Sequence, residues 1–149
     1  MIEAYAANKA VTAWTIANAD ARASYSLVNQ ADLNVLAANG VKFTPANVVA
    51  TGRGADGSVV FLETGSAKAG LQHIVQEHGA EFASIGVPAD QIPNVLMQAV
   101  NQGKVVGYQG SGTGRPIYEV VVNGQTQRIA ITTGSNGYIV GANPRGSSK

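Results

Sequence analysis

The sequence contains no cysteine among its 149 residues, and it is poor in aromatic and charged side chains. The absence of cysteine excludes disulfide bonds and thiolate metal sites, and it fits either a cytosolic protein or one that crosses membranes unfolded. Charged residues make up 13% of the chain, and the formal net charge is +1. This balance excludes a bulk basic character, so any cationic surface must come from the local arrangement of the ten Lys and Arg.

Long apolar runs are missing as well. No run approaches the ~20 residues that a membrane-spanning helix needs. The N-terminus, Met1-Ile2-Glu3-Ala4, has neither the basic segment nor the apolar segment of a signal peptide. We therefore expect no stable membrane span, and either a cytosolic protein or a piece of a larger one.

The composition changes near Gly40. Residues 1–39 are rich in Ala and Asn, which predicts a helical N-terminal segment or spacer, and Asn39-Gly40 is typical of a helix end. Thr44-Pro45 then marks the start of a different pattern. We expect the segment 1–39 to be a linker or the end of an upstream region, and residues 40–149 to form one domain.

After residue 45 the pattern predicts an α+β fold, with a β-hairpin and two helices packed on an antiparallel, roughly four-stranded C-terminal sheet. The hairpin comprises Val48–Arg53 and Ser58–Leu62, and the helices cover residues 67–82 and 90–101, with Asp90 as the cap of the second. Asn123-Gly124 predicts a type I′ turn between two of the later strands. The four strand candidates are Lys104–Gln109, Arg115–Val122, Gln125–Thr132 and Tyr138–Gly141.

The two histidines of the chain, His73 and His78, are five residues apart at the start of the first predicted helix. Histidine exchanges protons near neutral pH, so the pair is a candidate for acid–base chemistry. A structural interpretation stands beside it. His78 shares a helical stripe with Leu71, Ile74 and other apolar residues, which favours a hydrogen-bonded core residue, and His73 shares the opposite flank with Glu77.

Most other motifs that would indicate a particular chemistry are absent from the sequence. The glycine-rich residues 110–115 lack the lysine and the following helix of a phosphate-binding loop, and are more typical of a flexible hairpin loop. Neither a metal-ligand cluster nor a nucleophile elbow is evident. The polar groups that remain are His73, His78, Lys68, Lys104, Arg115, Tyr118, Arg128, Thr132, Thr133, Ser135 and Tyr138.

These residue types suit the cleavage of RNA without metal. That reaction needs a base for the 2′-hydroxyl proton, an acid for the leaving 5′-oxygen, and cationic or hydroxyl donors around the phosphorus. The RNA supplies its own nucleophile, so no cofactor is expected.

Several segments together resemble the C-terminal toxin domains of contact-dependent growth inhibition effectors, the CdiA family. The similarity covers roughly residues 33–145 and is greatest to the transfer-RNA-cleaving type, which is related to the barnase, EndoU, colicin and RelE-like ribonucleases. The segments that carry it are Phe61-Leu62-Glu63-Thr64-Gly65, Ala69-Gly70-Leu71-Gln72-His73-Ile74-Val75, Gly114-Arg115-Pro116-Ile117-Tyr118 and Asn136-Gly137-Tyr138-Ile139-Val140-Gly141-Ala142-Asn143-Pro144.

The resemblance implies a toxin at the tip of a large secreted or cell-surface protein, which acts in the cytoplasm of a target bacterium. It implies cleavage of transfer RNA that leaves a 2′,3′-cyclic phosphate, and a cognate immunity protein that we expect to be acidic. The low net charge further suggests a selective substrate or a helper protein such as a host translation factor. The predicted catalytic residues are His73, His78, Arg115, Thr133, Ser135 and Tyr138, and the predicted nucleic-acid-binding residues are Lys68, Lys104 and Arg128.

Two other functions stay open from the sequence. The first is a non-catalytic binding or delivery module of a surface toxin, in which both histidines are structural. The second is a deoxyribonuclease, which fits poorly because the sequence shows no carboxylate cluster to hold magnesium.

Overall fold

The structure is a computed structural model that describes residues 27–54, 56–102, 104–110 and 115–145. The predicted helix content of residues 1–26 lies outside the described residues. Within them the fold is α+β, as the sequence predicts, with three α-helices and two antiparallel sheets. The helices are α1 (Gln30–Ala38), α2 (Leu71–Ser84) and α3 (Ile92–Gln102), and the strands are β1 (Val48–Arg53), β2 (Val59–Glu63), β3 (Lys104–Tyr108), β4 (Pro116–Val122), β5 (Gln125–Thr133) and β6 (Ile139–Pro144).

The four C-terminal strands form an antiparallel meander in the order β3-β4-β5-β6. The predicted type I′ turn joins β4 to β5, and both of its central residues have positive φ, 53° at Asn123 and 81° at Gly124. The β1–β2 hairpin forms the second sheet, and a single bridge between Phe61 and Tyr138 connects it to the start of β6.

One face of the meander carries the hydrophobic core. Helices α2 and α3 cover this inner face, where they bury apolar residues of β4, β5 and β6. We call the opposite face of the meander the outer face. The largest fully buried side chains are Phe61, Phe82, Leu62, Leu71, Ile74, Ile92, Leu96, Ile129, Ile131 and Ile139.

Helix α1 packs on the β1–β2 hairpin rather than on the meander. Its residues Leu33 and Leu36 are buried with Val48, Val59 and Phe61 in a second, smaller cluster. The Arg53 side chain also donates to Asp32 at 2.9 Å. The end of the N-terminal segment is therefore part of the packed structure.

The boundaries of two predicted helices differ from those in the structure. Helix α2 starts at Leu71 rather than residue 67, because residues 64–70 form a tight loop that Gly65 and Gly70 make possible with φ of 71° and 89°. Helix α3 starts at Ile92, and a 3₁₀ turn over Ala89–Gln91 precedes it, so Asp90 lies within that turn and does not cap the helix with its side chain.

The last strand is longer than predicted, and β6 continues to Pro144, which pairs with Ile129. A proline is tolerated on an edge strand when its missing N–H is not needed for pairing.

Among the described residues, no helix is both long and apolar enough to cross a bilayer.

Candidate active site on the outer face of the sheet

The imidazole of His73 is held in one tautomer by the loop that precedes α2. His73 Nδ1 lies 3.0 Å from the backbone oxygen of Ala67. Because a carbonyl oxygen only accepts, Nδ1 must carry the proton, and the lone pair of the neutral ring lies on Nε2. The loop that presents Ala67 closes through a 2.8 Å hydrogen bond from Ser66 N to Ala69 O. The hydrogen bond to Ala67 therefore makes Nε2 the acceptor nitrogen of the neutral ring.

The His73 ring packs against β6. A Cβ on Gly141 would lie 3.6 Å from His73 Cδ2 and 3.7 Å from Nε2, so the ring covers this glycine. Gly141 is opposite Thr132 on β5, and both belong to the outer face, since their neighbours Ile131 and Ala142 are in the core. The start of α2 thus brings His73 to one end of the outer face.

His78 is in a different environment. Its Nδ1 lies 3.1 Å from Glu81 Oε2, three residues further along α2, and its side chain is 31% exposed. The interpretation of His78 as a core histidine is therefore wrong, because its side chain is partly exposed. The structure does not bring the two histidines together, because each hydrogen-bonds a different local partner.

A row of charged residues crosses the outer face at the other end of the strands. Lys104 on β3 is opposite Glu119 on β4, which is opposite Arg128 on β5. Arg128 Nη2 lies 3.5 Å from Glu119 Oε2. The pairing continues past β6, where Arg145 N donates to Arg128 O at 2.7 Å. Two of the three predicted nucleic-acid-binding residues, Lys104 and Arg128, therefore share one row.

Between this row and His73 lies a row with a small residue at its centre. Ala130 on β5 is 2% exposed, and it is opposite Asn143 on β6. Asn143 Nδ2 donates to Gln109 Oε1 at 3.2 Å. Residues two apart on one face of a strand are separated by ~7 Å, so the charged row is ~13 Å from the end where His73 lies.

The predicted catalytic hydroxyls lie elsewhere. Successive side chains on a strand point to opposite faces, so Thr132 belongs to the outer face, whereas Thr133 lines a cleft on the other side of the sheet together with Ser135. This cleft, of about 1270 Å³, separates the β1–β2 hairpin from the meander, and Lys42 and Tyr118 also line it. Burial, then Tyr108 and then Asp56, raise the pKa of the Tyr118 hydroxyl.

Tyr138 connects the two sheets. Its ring contacts Phe61 edge to face, with ring centroids 5.5 Å apart, and its hydroxyl lies 2.8 Å from where a Cβ of Gly70 would be. Burial, followed by the charge of Glu63, raises the pKa of the Tyr138 hydroxyl. Tyr138 therefore lies close to the start of α2, where its contacts are packing contacts between the two sheets.

The two remaining predicted residues are exposed. Lys68 follows Ala67 in the loop before α2, and its backbone N–H donates to Ser66 Oγ at 3.2 Å. Arg115 precedes β4 by one residue, at the end of the sheet that also holds Thr132. The chain thus places a cation beside the loop that orients His73 and another at the same end of the sheet.

Glu119, Gln109, Asn143 and Arg145 share the outer face with the predicted residues, although the sequence did not single them out. The signal for Glu119 was the Asn123-Gly124 turn, which fixes the β4–β5 register and pairs Glu119 with Arg128.

Across residues 27–54, 56–102, 104–110 and 115–145, no group of three or more His, Cys, Asp or Glu is placed to hold a metal ion. Neither a family model nor a curated protein matches the sequence.

Proposed function

We propose that this chain is a metal-independent ribonuclease toxin that cleaves transfer RNA inside a target bacterium. The observation that carries the proposal is the outer face of the meander. At one end the Nδ1 of His73 donates to Ala67 O, which leaves Nε2 as the acceptor of the neutral ring, and at the other end Lys104 and Arg128 share a row. A proton acceptor and a row that holds two cations and one carboxylate on one face suit a polyanionic chain that must be deprotonated at a single hydroxyl.

The geometry favours the role of general base for His73. Nε2 takes the proton of the RNA 2′-hydroxyl, and the 2′-oxygen attacks the adjacent phosphorus. The bond from phosphorus to the 5′-oxygen breaks, which leaves a 2′,3′-cyclic phosphate, and the 5′-oxygen takes a proton from solvent. The charge that develops on the phosphoryl oxygens needs cationic donors, and Arg115 at the same end of the sheet is our candidate.

Cleavage of purified total RNA in the presence of EDTA tests this proposal. We expect the wild-type chain to cut transfer RNA, and His73→Ala to lower the rate by about 10²- to 10⁴-fold, the usual contribution of a general base. The matched control is Gln76→Ala, an exposed position on the same helix. His78→Ala separates the two histidines: a small effect fits its pairing with Glu81, and a large effect would restore the sequence-based role.

Two results would contradict the proposal. If EDTA abolished the cleavage of RNA and added magnesium restored it, the reaction would require a metal ion, and the metal-free mechanism would be wrong. Equal growth of bacteria that express wild type or His73→Ala, with both chains folded and no RNA cut, would favour the non-catalytic delivery module instead.

The same face predicts the partner. An acidic immunity protein that covers His73, Lys104 and Arg115 would block RNA by competing with phosphate, and we expect nanomolar or tighter binding that weakens with salt. Protection mapping of the complex by hydrogen exchange checks this. Protection of α1 alone, with β3 to β6 unprotected, would rule out occlusion of the outer face. A transfer RNA is the proposed substrate, and a host translation factor is the proposed helper.

A further inference from the structure

Strand β3 is an edge of the meander. In the order β3-β4-β5-β6 it has one neighbour, and within the described part of the chain its backbone pairs with β4 only. Alternate residues of an antiparallel strand direct both backbone groups away from the neighbouring strand, so β3 presents N–H and C=O groups along its free side. The other outermost strand differs, because Val140 O on β6 accepts from Gly70 N at the start of α2.

The side chains of β3 are mostly apolar and exposed. Val105, Val106 and Tyr108 are 44%, 39% and 49% exposed, and among the described residues Val121 is the only other exposed large apolar side chain. Lys104 is the only charged residue of the strand. Edge strands of soluble proteins are usually protected from pairing by charges, prolines or a covering element, so this composition favours a strand that receives a partner.

One feature of β3 opposes pairing. The register against β4 shifts between Val105 and Gly107, so Val106 is an extra residue that interrupts the ladder. Bulges are a common protection of sheet edges, and protection is therefore the alternative to a docking role. The exposed side chains favour docking, because apolar groups on an edge add to the risk of association that a protective bulge reduces.

The charges at the two ends of β3 indicate the chemistry of the partner. Lys104 begins the strand, and Arg115 lies beyond its other end, where Gln109 N donates to Arg115 O at 2.9 Å. Both cations are exposed, and neither forms an ion pair with another described residue. Glu119, opposite Lys104, is directed to Arg128 at 3.5 Å. An extended segment with acidic ends and an apolar centre would complement this edge.

We infer that an acidic, extended segment of the immunity protein pairs with β3 as an additional strand. The inference rests on the proposed function, which includes an acidic partner over Lys104 and Arg115, and it names the way in which that partner docks. Backbone hydrogen bonds to β3 hold the segment, and carboxylates at its two ends contact the two cations. Because β3 borders the outer face, a partner docked there also reaches the row that holds Arg128.

A synthetic peptide takes the place of the partner in the test. The probe alternates valine with threonine over the length of β3 and carries glutamates at both ends. Its matched control has the same sequence with alternate amide nitrogens methylated, which keeps the charge and removes the N–H groups that would pair. We expect the probe to shift the amide NMR signals of residues 104–108. Methylation should weaken binding at least about 10-fold, the effect of two lost backbone hydrogen bonds.

Two variants place the same charge on the edge and away from it. Val106→Glu should weaken binding of the probe at least about 10-fold, because it sets a carboxylate against the acidic segment. Val121→Glu adds the same charge at an exposed valine of β4 and should change binding less than about twofold. Both positions are exposed, so both variants are expected to fold.

Three outcomes would overturn the inference. The first is equal binding of the probe and the methylated control, or signal shifts that centre on His73 instead of β3. The second is no binding, which would assign the bulge at Val106 to edge protection. The third is a wild-type dimer in sedimentation that Val106→Glu separates, which would assign β3 to a second copy of the chain. None of these measurements uses RNA, so a chain that binds the probe and cuts no RNA would overturn the proposed function and leave the docking edge.

Discussion

Tyr138 shows how a single residue can serve packing and pH response together. Its ring contacts Phe61 at the junction of the two sheets, and burial followed by Glu63 raises the pKa of its hydroxyl above 10.0. The folded chain therefore holds the phenol proton more tightly than the unfolded chain does. Unfolding releases this proton once the pH exceeds the unfolded value, so the contribution is present below pH 10.0 and is lost as the pH rises.

We predict that Tyr138→Phe makes the alkaline loss of stability shallower. The free energy of unfolding, measured by urea titration between about pH 9 and about pH 11, should fall less steeply in the variant than in wild type. Between about pH 6 and about pH 8 the two slopes should agree, because the phenol stays protonated in both states. If the free energy of unfolding fell equally steeply with pH in wild type and variant, Tyr138 would not contribute to the alkaline loss of stability.

In the proposed ribonuclease, His73 is the residue that depends most on one local contact. The hydrogen bond from Nδ1 to Ala67 O sets the tautomer without any charged partner, so the lone pair on Nε2 depends on the backbone of one short loop. Changes that move this loop should therefore affect activity even when His73 itself is unchanged.

At the scale of elements, one glycine, Gly70, directly precedes helix α2 in a conformation that the fold needs, and another, Gly79, lies in the helix interior, where no special conformation is needed. Gly70 has φ of 89° and ψ of −164°, a conformation that is almost restricted to glycine. A Cβ at this position would lie 2.8 Å from Tyr138 Oη and 2.9 Å from Gly65 Cα. At Gly79 a Cβ would meet only Val75 Cγ1, at an ordinary 3.6 Å.

We predict opposite effects for the same substitution at these two positions. Gly79→Ala should raise the free energy of unfolding by about 0.5–1 kcal/mol, because alanine reduces the freedom of the unfolded chain. Gly70→Ala should lower it by about 1–3 kcal/mol. Urea denaturation of both variants checks the signs. Equal stability of the two would mean that the loop before α2 relaxes freely and does not fix His73.

At the scale of the whole molecule, the chain carries few charges, and these are distributed unevenly over its surface. The net charge is +1, yet the outer face collects Lys104 and Arg128 in one row, while Lys42 lines the cleft on the other side of the sheet. RNA binding should therefore depend on the side of the molecule that carries a given lysine.

We predict that Lys104→Ala weakens RNA binding and reduces the slope of log affinity against log salt by about 0.7 to 1, the value for one lost phosphate contact. Lys42→Ala removes the same charge from the opposite side and should leave the slope unchanged. Fluorescence anisotropy with labelled transfer RNA over a range of salt concentrations measures both. An equal loss in the two variants would indicate binding by bulk charge rather than by the outer face.

The sequence by itself determined the order and the type of the elements. The β1–β2 hairpin, the two helices and the four-stranded meander follow from local signals, above all the Asn123-Gly124 turn and the apolar stripe of α3. These signals act between neighbours in the chain, so they can be read without the fold. His73 is a candidate from the sequence alone, because it is one of two histidines at a predicted helix start.

Only the tertiary structure decided which of these residues meet. The start of α2 is set by distant contacts, such as Gly70 N donating to Val140 O at 3.0 Å, which helix propensity does not contain. Thr133 follows Thr132 on β5 and therefore faces the side opposite to His73, and a hydrogen bond between side chains brings Gln109 to Asn143. Side-chain facing on a strand alternates with each residue, so neighbouring hydroxyls lie on opposite faces, and only the packing of the helices shows which face is buried and which one His73 reaches.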